Sequence, residues 1–237
     1  VILTASRSGS TAFVRAIDTH PDVLCYAHPF FPDILKTPRF SKLDPNKVDV
    51  ASRYDRPLEY ITDLMSHRRN KLAVGLKIWP IEGDTACMDA IKMLGADETI
   101  KKIRLFRENE LAAFSSWQLV REKNAQPHLF KPGLKKPKIA FRKNLFVNFL
   151  ERRQAWRDAS QNLAKGDVLT LPYEGLTGEG LQRAAAFLNL TLPHSFTTPS
   201  EKRNSNDILG RFEKSEHRRL LRTLDQIGHP EWVSESA

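Results

Sequence analysis

The sequence predicts an α/β fold, with a central parallel sheet flanked by helices in a three-layer arrangement, formed as a single domain over residues 1–237. Three observations carry this. Short apolar runs alternate with amphipathic helical patterns along nearly the whole chain, the sequence form of repeated strand–helix–strand units. The 237 residues are 41% hydrophobic and 27% charged, as in a soluble globular protein with one well-formed core. No internal repeat, low-complexity tract or linker divides them.

The elements follow in order. Residues 1–5 are a short apolar run, followed by a polar loop and an amphipathic helical pattern that Pro21 ends, because proline disfavours helix in the residue before it. Residues 23–27 read as a second strand. His28-Pro29-Phe30-Phe31-Pro32 then opens an irregular segment to about Arg56, long enough to be a binding loop or a disordered one. Pro57 starts a helix carrying Leu58, Ile61, Leu64 and Met65. Residues 73–79 form a strand stopped by Pro80. Asp84 or Thr85 caps the next helix, which ends at Gly95. Residues 101–106 are a strand, and Asn109 caps the helix after it. Residues 131–137 are loop, and 141 to about 163 the longest helical pattern. A strand at 167–171, a short helix at 180–188, a polar loop at 197–207 and a charged helix from about 213 to 226 complete the chain. In a parallel sheet, ligands bind at the carboxyl ends of the strands, so the loops after Ala5, Trp79 and Phe106 share one candidate rim.

A net charge of +9 and a pI near 9.6 call for an anionic partner. The basic clusters lie in no recognisable nucleic-acid module, so a nucleic acid is not expected, and a nucleotide with several phosphate groups suits the excess. No apolar run approaches the ~20 residues of a membrane helix. No signal peptide is expected from the residues given, and Cys25 and Cys87 suit neither a disulfide framework nor a metal site. A cytoplasmic location is the expectation. The chain opens on Val1 inside a strand-like run, so natural residues upstream, and with them a targeting segment, stay open. Nothing in the sequence speaks to oligomeric state.

The first loop reads Ala5-Ser6-Arg7-Ser8-Gly9-Ser10-Thr11. Backbone N–H groups at a helix start attract an anion through unsatisfied donors and the helix dipole. Ser8, Ser10 and Thr11 add hydroxyl donors, Arg7 adds a fixed charge, and Gly9 permits close backbone approach. The loop is not a Walker A motif, which needs two glycines and a lysine before its Ser/Thr. Arg7-Ser8-Gly9-Ser10-Thr11 resembles the phosphosulfate loop of the sulfotransferases that use the sulfate donor PAPS, where Lys or Arg precedes Ser-Gly-[Ser/Thr]-Thr after the first strand. Arg107 and Ser115, eight residues apart across a strand end and a helix start, resemble that family's 3′-phosphate motif. Tyr173-Glu174-Gly175-Leu176 is similar to its Tyr-Glu-Asp-Leu, and Phe187-Leu188-Asn189-Leu190 to its Phe-Leu-Gly-Leu. Taken together, these segments make the chain look like the bacterial carbohydrate and glycolipid sulfotransferases, with an opening shared by the protein-tyrosine type.

The resemblance implies a P-loop-like fold and direct in-line transfer of a sulfuryl group from PAPS to an acceptor hydroxyl, on a glycan or glycolipid, with release of PAP and no metal. It gives Arg7, Ser8, Gly9, Ser10 and Thr11 to the 5′-phosphosulfate, and Arg107 with Ser115 to the 3′-phosphate. Lys202 and Arg203 stand in Ser200–Asn204, which resembles the family's late basic segment that closes over the nucleotide, and either would meet the 3′-phosphate. Lys77 matches the strand-end lysine of the family's Lys-Thr-His-Leu-Pro, but Trp79 replaces the histidine base. His28, after the second strand, is the candidate base in its stead, its alternative role being to cap that strand or pack on Phe30. Asp33 and Glu82 are reserves. Two other functions stay open: a phosphotransferase on the same fold, and a non-catalytic nucleotide- or anion-binding protein.

Overall fold

The computed structural model describes residues 1–31, 46–123, 137–176, 178–191 and 205–235. It is an α/β protein in which five strands, β1 (Ile2–Thr4), β2 (Val23–Tyr26), β3 (Ala73–Ile78), β4 (Lys102–Phe106) and β5 (Val168–Pro172), form one all-parallel sheet in the order β2-β3-β1-β4-β5. The helices are α1 (Ser10–Ile17), α2 (Pro57–Ser66), α3 (Thr85–Ala96), α4 (Glu110–Lys123), α5 (Lys143–Leu163), α6 (Glu179–Phe187) and α7 (His217–Gln226). Among the described residues no helix is long and apolar enough to cross a membrane.

The chain divides into two compact units. The first comprises Val1–Phe106 and Trp156–Ser200, and the second Arg107–Ala155 and Glu201–Ala237. The first unit holds the sheet between two helical layers, because alternate strand residues point to opposite faces. On one face Leu3, Leu24, Tyr26, Leu76, Ile78 and Phe106 meet α2, α3 and the Trp156, Ala159 and Leu163 side of α5. On the other, Ile2, Val23, Cys25, Ile103, Leu105 and Leu171 meet α1 and α6. Cys25 and Cys87 are buried free thiols, and burial pushes both up to about 12. The second unit packs α4 residues Leu111–Phe114 against Phe141, Phe146, Phe149, Ile208, Phe212, Leu220 and Leu224.

The helix starts obey the local rules. Pro57 supplies the first residue of α2. The Asp84 carboxylate accepts from the Cys87 N–H at 2.9 Å and caps α3. Asn109 Oδ1 accepts from Ala112 N–H at 2.9 Å and caps α4. Even the fully buried Lys102 has a local reason. Its ammonium donates to the carbonyls of Asp97 and Lys165, just past the ends of α3 and α5, where helix dipoles favour a cation.

Two features position the loop after β1. Its strand lies in the middle of the sheet, paired with β3 on one side and β4 on the other. The helices that follow β1 and β3, α1 and α3, go to opposite faces. Neighbouring parallel strands whose connections diverge in this way open a crevice at their carboxyl ends. The Trp156 indole N–H then donates to the Thr4 carbonyl at 2.7 Å, pinning the strand end where the loop leaves it.

Candidate anion-binding site

The loop departs from ordinary backbone at two positions. Arg7 has φ 65° and Gly9 φ 70°, both left-handed. For a side chain with a Cβ this conformation costs about 1–2 kcal/mol, so Arg7 holds strain of the kind that clusters at functional sites. Gly9 is required twice over. Beyond its φ, a Cβ there would stand 2.0 Å from the Tyr173 ring, in the turn Tyr173–Gly175 that follows β5. That ring therefore lies directly on the loop. Gly9 is also the N-cap of α1, and no side chain caps this end. Ser8 and Ser10 are buried, Arg7 is half-buried and Thr11 is exposed.

Lys77, near the end of β3, completes the cluster. Its ammonium donates to Thr11 Oγ1 at 3.1 Å and lies 5.1 Å from the centre of the Trp79 ring. The side chain is 5% exposed, and its electrostatic neighbours are the Cys25 thiol and the cations Arg15 and Arg7. Burial, with those two arginines, holds the ammonium down to about 8 from the usual 10.5. A cation buried beside other cations is an unfavourable arrangement by itself, and an anion in the loop would relieve it. The structure thus brings Arg7, Ser8, Gly9, Ser10, Thr11 and Lys77 together at one end of the sheet.

His28 does not have the freedom that a general base needs. The Phe30 N–H donates to its Nδ1 at 3.2 Å, which leaves the proton on Nε2, and Nε2–H donates to the Trp79 carbonyl at 2.7 Å. The ring is 2% exposed and meets the Trp79 ring edge-on at 4.0 Å. Burial pushes it down to about 4. Both nitrogens are committed, so in this arrangement the ring has no lone pair for an acceptor's proton, and the expectation of a basic His28 gives way to its alternative, a packing and capping residue. Of the reserve bases, Asp33 lies outside the described residues. Glu82 lines an open cleft of about 400 Å³ with Tyr54, Gly83, Asp84, Thr85 and Ala86, in the segment that follows β3.

A second anion-type cluster occupies the second unit. Arg107 Nε donates to Glu235 Oε1 at 2.8 Å, and its terminal nitrogen reaches the same oxygen. Arg211 donates to Ser115 Oγ at 2.8 Å, and its other terminal nitrogen is 4.0 Å from Glu235 Oε2. Arg107 and Ser115 therefore belong to one buried cluster, joined by residues the sequence did not single out. Arg211 and Glu235 lie about a hundred residues along the chain from their partners, and no local pattern marks such a contact. Tyr173 did carry a signal, since it stands in the Tyr-Glu segment, but its packing on Gly9 has no sequence signature. Lys202 and Arg203 lie outside the described residues. No protein-family model matches the chain and no curated protein matches it, so what these two clusters do has to be read from their chemistry.

Proposed function

We propose that the protein is a P-loop-like sulfotransferase that moves a sulfuryl group from PAPS to a hydroxyl of a glycan or glycolipid. The observation that carries this is the buried Lys77 ammonium, held against Thr11 of a strained, Arg7-bearing loop at the crevice of the sheet. The residues fit an anionic sulfate donor: the Lys77 ammonium lies in the field of two further cations, Arg15 and Arg7, and Gly9, where a Cβ would meet the Tyr173 ring, lets the loop backbone come close. When bound, PAPS supplies an activated sulfuryl group. The resemblance assigns its 3′-phosphate to Arg107 and Ser115.

In this reading Arg7, Lys77 and the loop N–H groups hold the 5′-phosphate. As the bond between sulfur and the bridging oxygen breaks, Lys77 and Arg7 take up the negative charge left on the phosphate, the preorganised electrostatic role that dominates many group transfers. The acceptor hydroxyl forms the new oxygen–sulfur bond, and Glu82 accepts the proton it loses. The cleft beside Glu82, with the Tyr54 ring and the Asp84 carboxylate, suits a sugar, which combines an apolar ring face with hydroxyl donors. The two buried thiols suit a reducing cytoplasm.

Thermal unfolding with PAP and with ATP tests the donor assignment. At ~100-fold saturation a ligand adds about 2.7 kcal/mol, which for a chain of this size raises Tm by roughly 5–10 °C. PAP is expected to give that rise and ATP much less. Equal shifts would favour a phosphotransferase, and no transfer from labelled PAPS to any glycan or lipid fraction would favour a binding protein.

A further inference from the structure

The arginine cluster of the second unit already has an anion in it, and that anion is part of the chain. Arg107 aims Nε and a terminal nitrogen at one oxygen of Glu235, while Arg211 donates to the Ser115 hydroxyl and to the Ser205 carbonyl, the latter nitrogen standing 4.0 Å from the other Glu235 oxygen. All four side chains are largely buried; Ser115 is 2% exposed and Arg107 5%. Glu235 does not reach the arginines by chance contact of a loose end. Its N–H donates to the Asn206 carbonyl at 2.9 Å, Ile208 N–H donates to Val233 at 2.9 Å, and Asp207 pairs with Ser234 as an antiparallel bridge. Asn109, the cap of α4, donates through Nδ2 to the carbonyls of Trp232 and Ser234 at 3.1 and 2.9 Å. The segment that carries the carboxylate is thus latched at four points beside Arg107.

We propose that Arg107, Arg211 and Ser115 form a pocket for a phosphate monoester, with Arg211 an additional ligand, and that Glu235 is an internal mimic which a bound phosphate displaces. The inference rests on the donor reading above. The chemistry favours exchange. A carboxylate brings one charge and two oxygens, and here a single oxygen serves both nitrogens of Arg107. A phosphate monoester brings nearly two charges and three acceptor oxygens, enough for both guanidinium forks and the Ser115 hydroxyl. Arginine's planar fork suits either anion, so Arg107 needs no new geometry, while Arg211 would trade the Ser205 carbonyl, and the Ser115 hydroxyl the Ala112 carbonyl, for phosphate oxygens. Because the mimic is tethered, it holds the pocket at high effective concentration, and a ligand sees only the fraction of molecules in which the pocket is open. Donor binding would then release the latch at 206–208 and 232–235, linking occupancy of the pocket to the order of that segment.

Glu235→Gln removes the competing charge and keeps the shape. Titration of wild type and variant with PAP and with 5′-AMP, which lacks the 3′-phosphate, is expected to show PAP binding the variant at least tenfold tighter and 5′-AMP unchanged. Because the variant leaves two buried arginines without that carboxylate and could fold poorly, hydrogen exchange on the wild-type chain gives a second readout. Saturating PAP is expected to speed exchange at residues 206–208 and 232–235, and 5′-AMP to leave it unaltered. Equal PAP affinity in the two proteins, or unchanged exchange with PAP bound, overturns the mimic while leaving the donor reading standing. Failure of PAP to bind either protein overturns both.

Discussion

Replacing Lys77 with Met separates function from stability in opposite directions. Met matches the lysine stem in volume and fits a buried site, so the change removes little but the charge. The ammonium titrates at about 8 in the folded protein and near 10.5 when exposed. Between those values the unfolded chain binds the extra proton, so wild-type stability rises with pH across that window. A gap of this size is worth about 3 kcal/mol. Below pH 8 that cost is present in full, and Lys77→Met is expected to be more stable than wild type at pH 7, by up to about 3 kcal/mol less the Thr11 hydrogen bond. Binding goes the other way. An anion that needs the protonated lysine loses affinity as pH rises through 8, and the free-protein titration gives about a 30-fold weakening between pH 7 and 9.5. PAP itself is about nine-tenths or more ionised over that range, since phosphate monoesters have a second pKa near 6, so its own titration changes affinity little. Isothermal titration with PAP across pH, beside urea unfolding, measures both limbs. Lys77→Met is expected to bind weakly without pH dependence, and Lys77→Arg to bind without the decline because its charge persists. An affinity in wild type that is flat from pH 7 to 9.5, or a Lys77→Met protein that binds as well as wild type, would mean that the Lys77 ammonium does not hold the anion.

Three further outcomes are expected. With His28 held down to about 4 by burial, the unfolded chain binds the extra proton between pH 4 and 6.5. Acidification through that window therefore costs wild type on the order of 3 kcal/mol; His28→Gln flattens this limb in urea midpoints measured from pH 4 to 7, and an unchanged limb would mean the ring titrates normally. Gly9→Ala adds a side chain at φ 70° and into the Tyr173 ring, costing about 1–2 kcal/mol for the backbone and roughly 1–3 kcal/mol for the clash. Adding Tyr173→Ala to Gly9→Ala recovers only the second part; recovery of neither would contradict the contact with Tyr173, and recovery of both would contradict the backbone cost. Arg7→Ala lowers kcat with labelled PAPS by about 10²–10³, and Arg7→Gly loses the same activity while being more stable than the alanine variant by roughly 1 kcal/mol. Equal stability of those two would show that the left-handed backbone at Arg7 carries no strain.

Local features were legible in the sequence alone. Pro57, Asp84 and Asn109 stand where helices begin, because capping is settled by a few adjacent residues and a free backbone N–H. The apolar runs at 23–27, 73–79 and 101–106 became parallel strands because continuous hydrophobic stretches are stable only when both faces are covered. The loop Arg7–Thr11 was visible as an anion-binding candidate because its donors are consecutive. The tertiary structure decided everything that depends on contacts between distant segments. Strand order put β1 between β3 and β4, and that neighbour brought Lys77 to Thr11 across 66 residues. The same packing turned His28 inward, where its two nitrogens found the Phe30 N–H and the Trp79 carbonyl; a sequence shows a histidine and its spacing but not which partners saturate it. Arg107 and Ser115 were legible, whereas Arg211 and Glu235, which bind them, were not. A buried charge chooses its partner through the fold, since desolvation penalises every arrangement except the one in which the opposite charge or a hydrogen-bonding group is already in place.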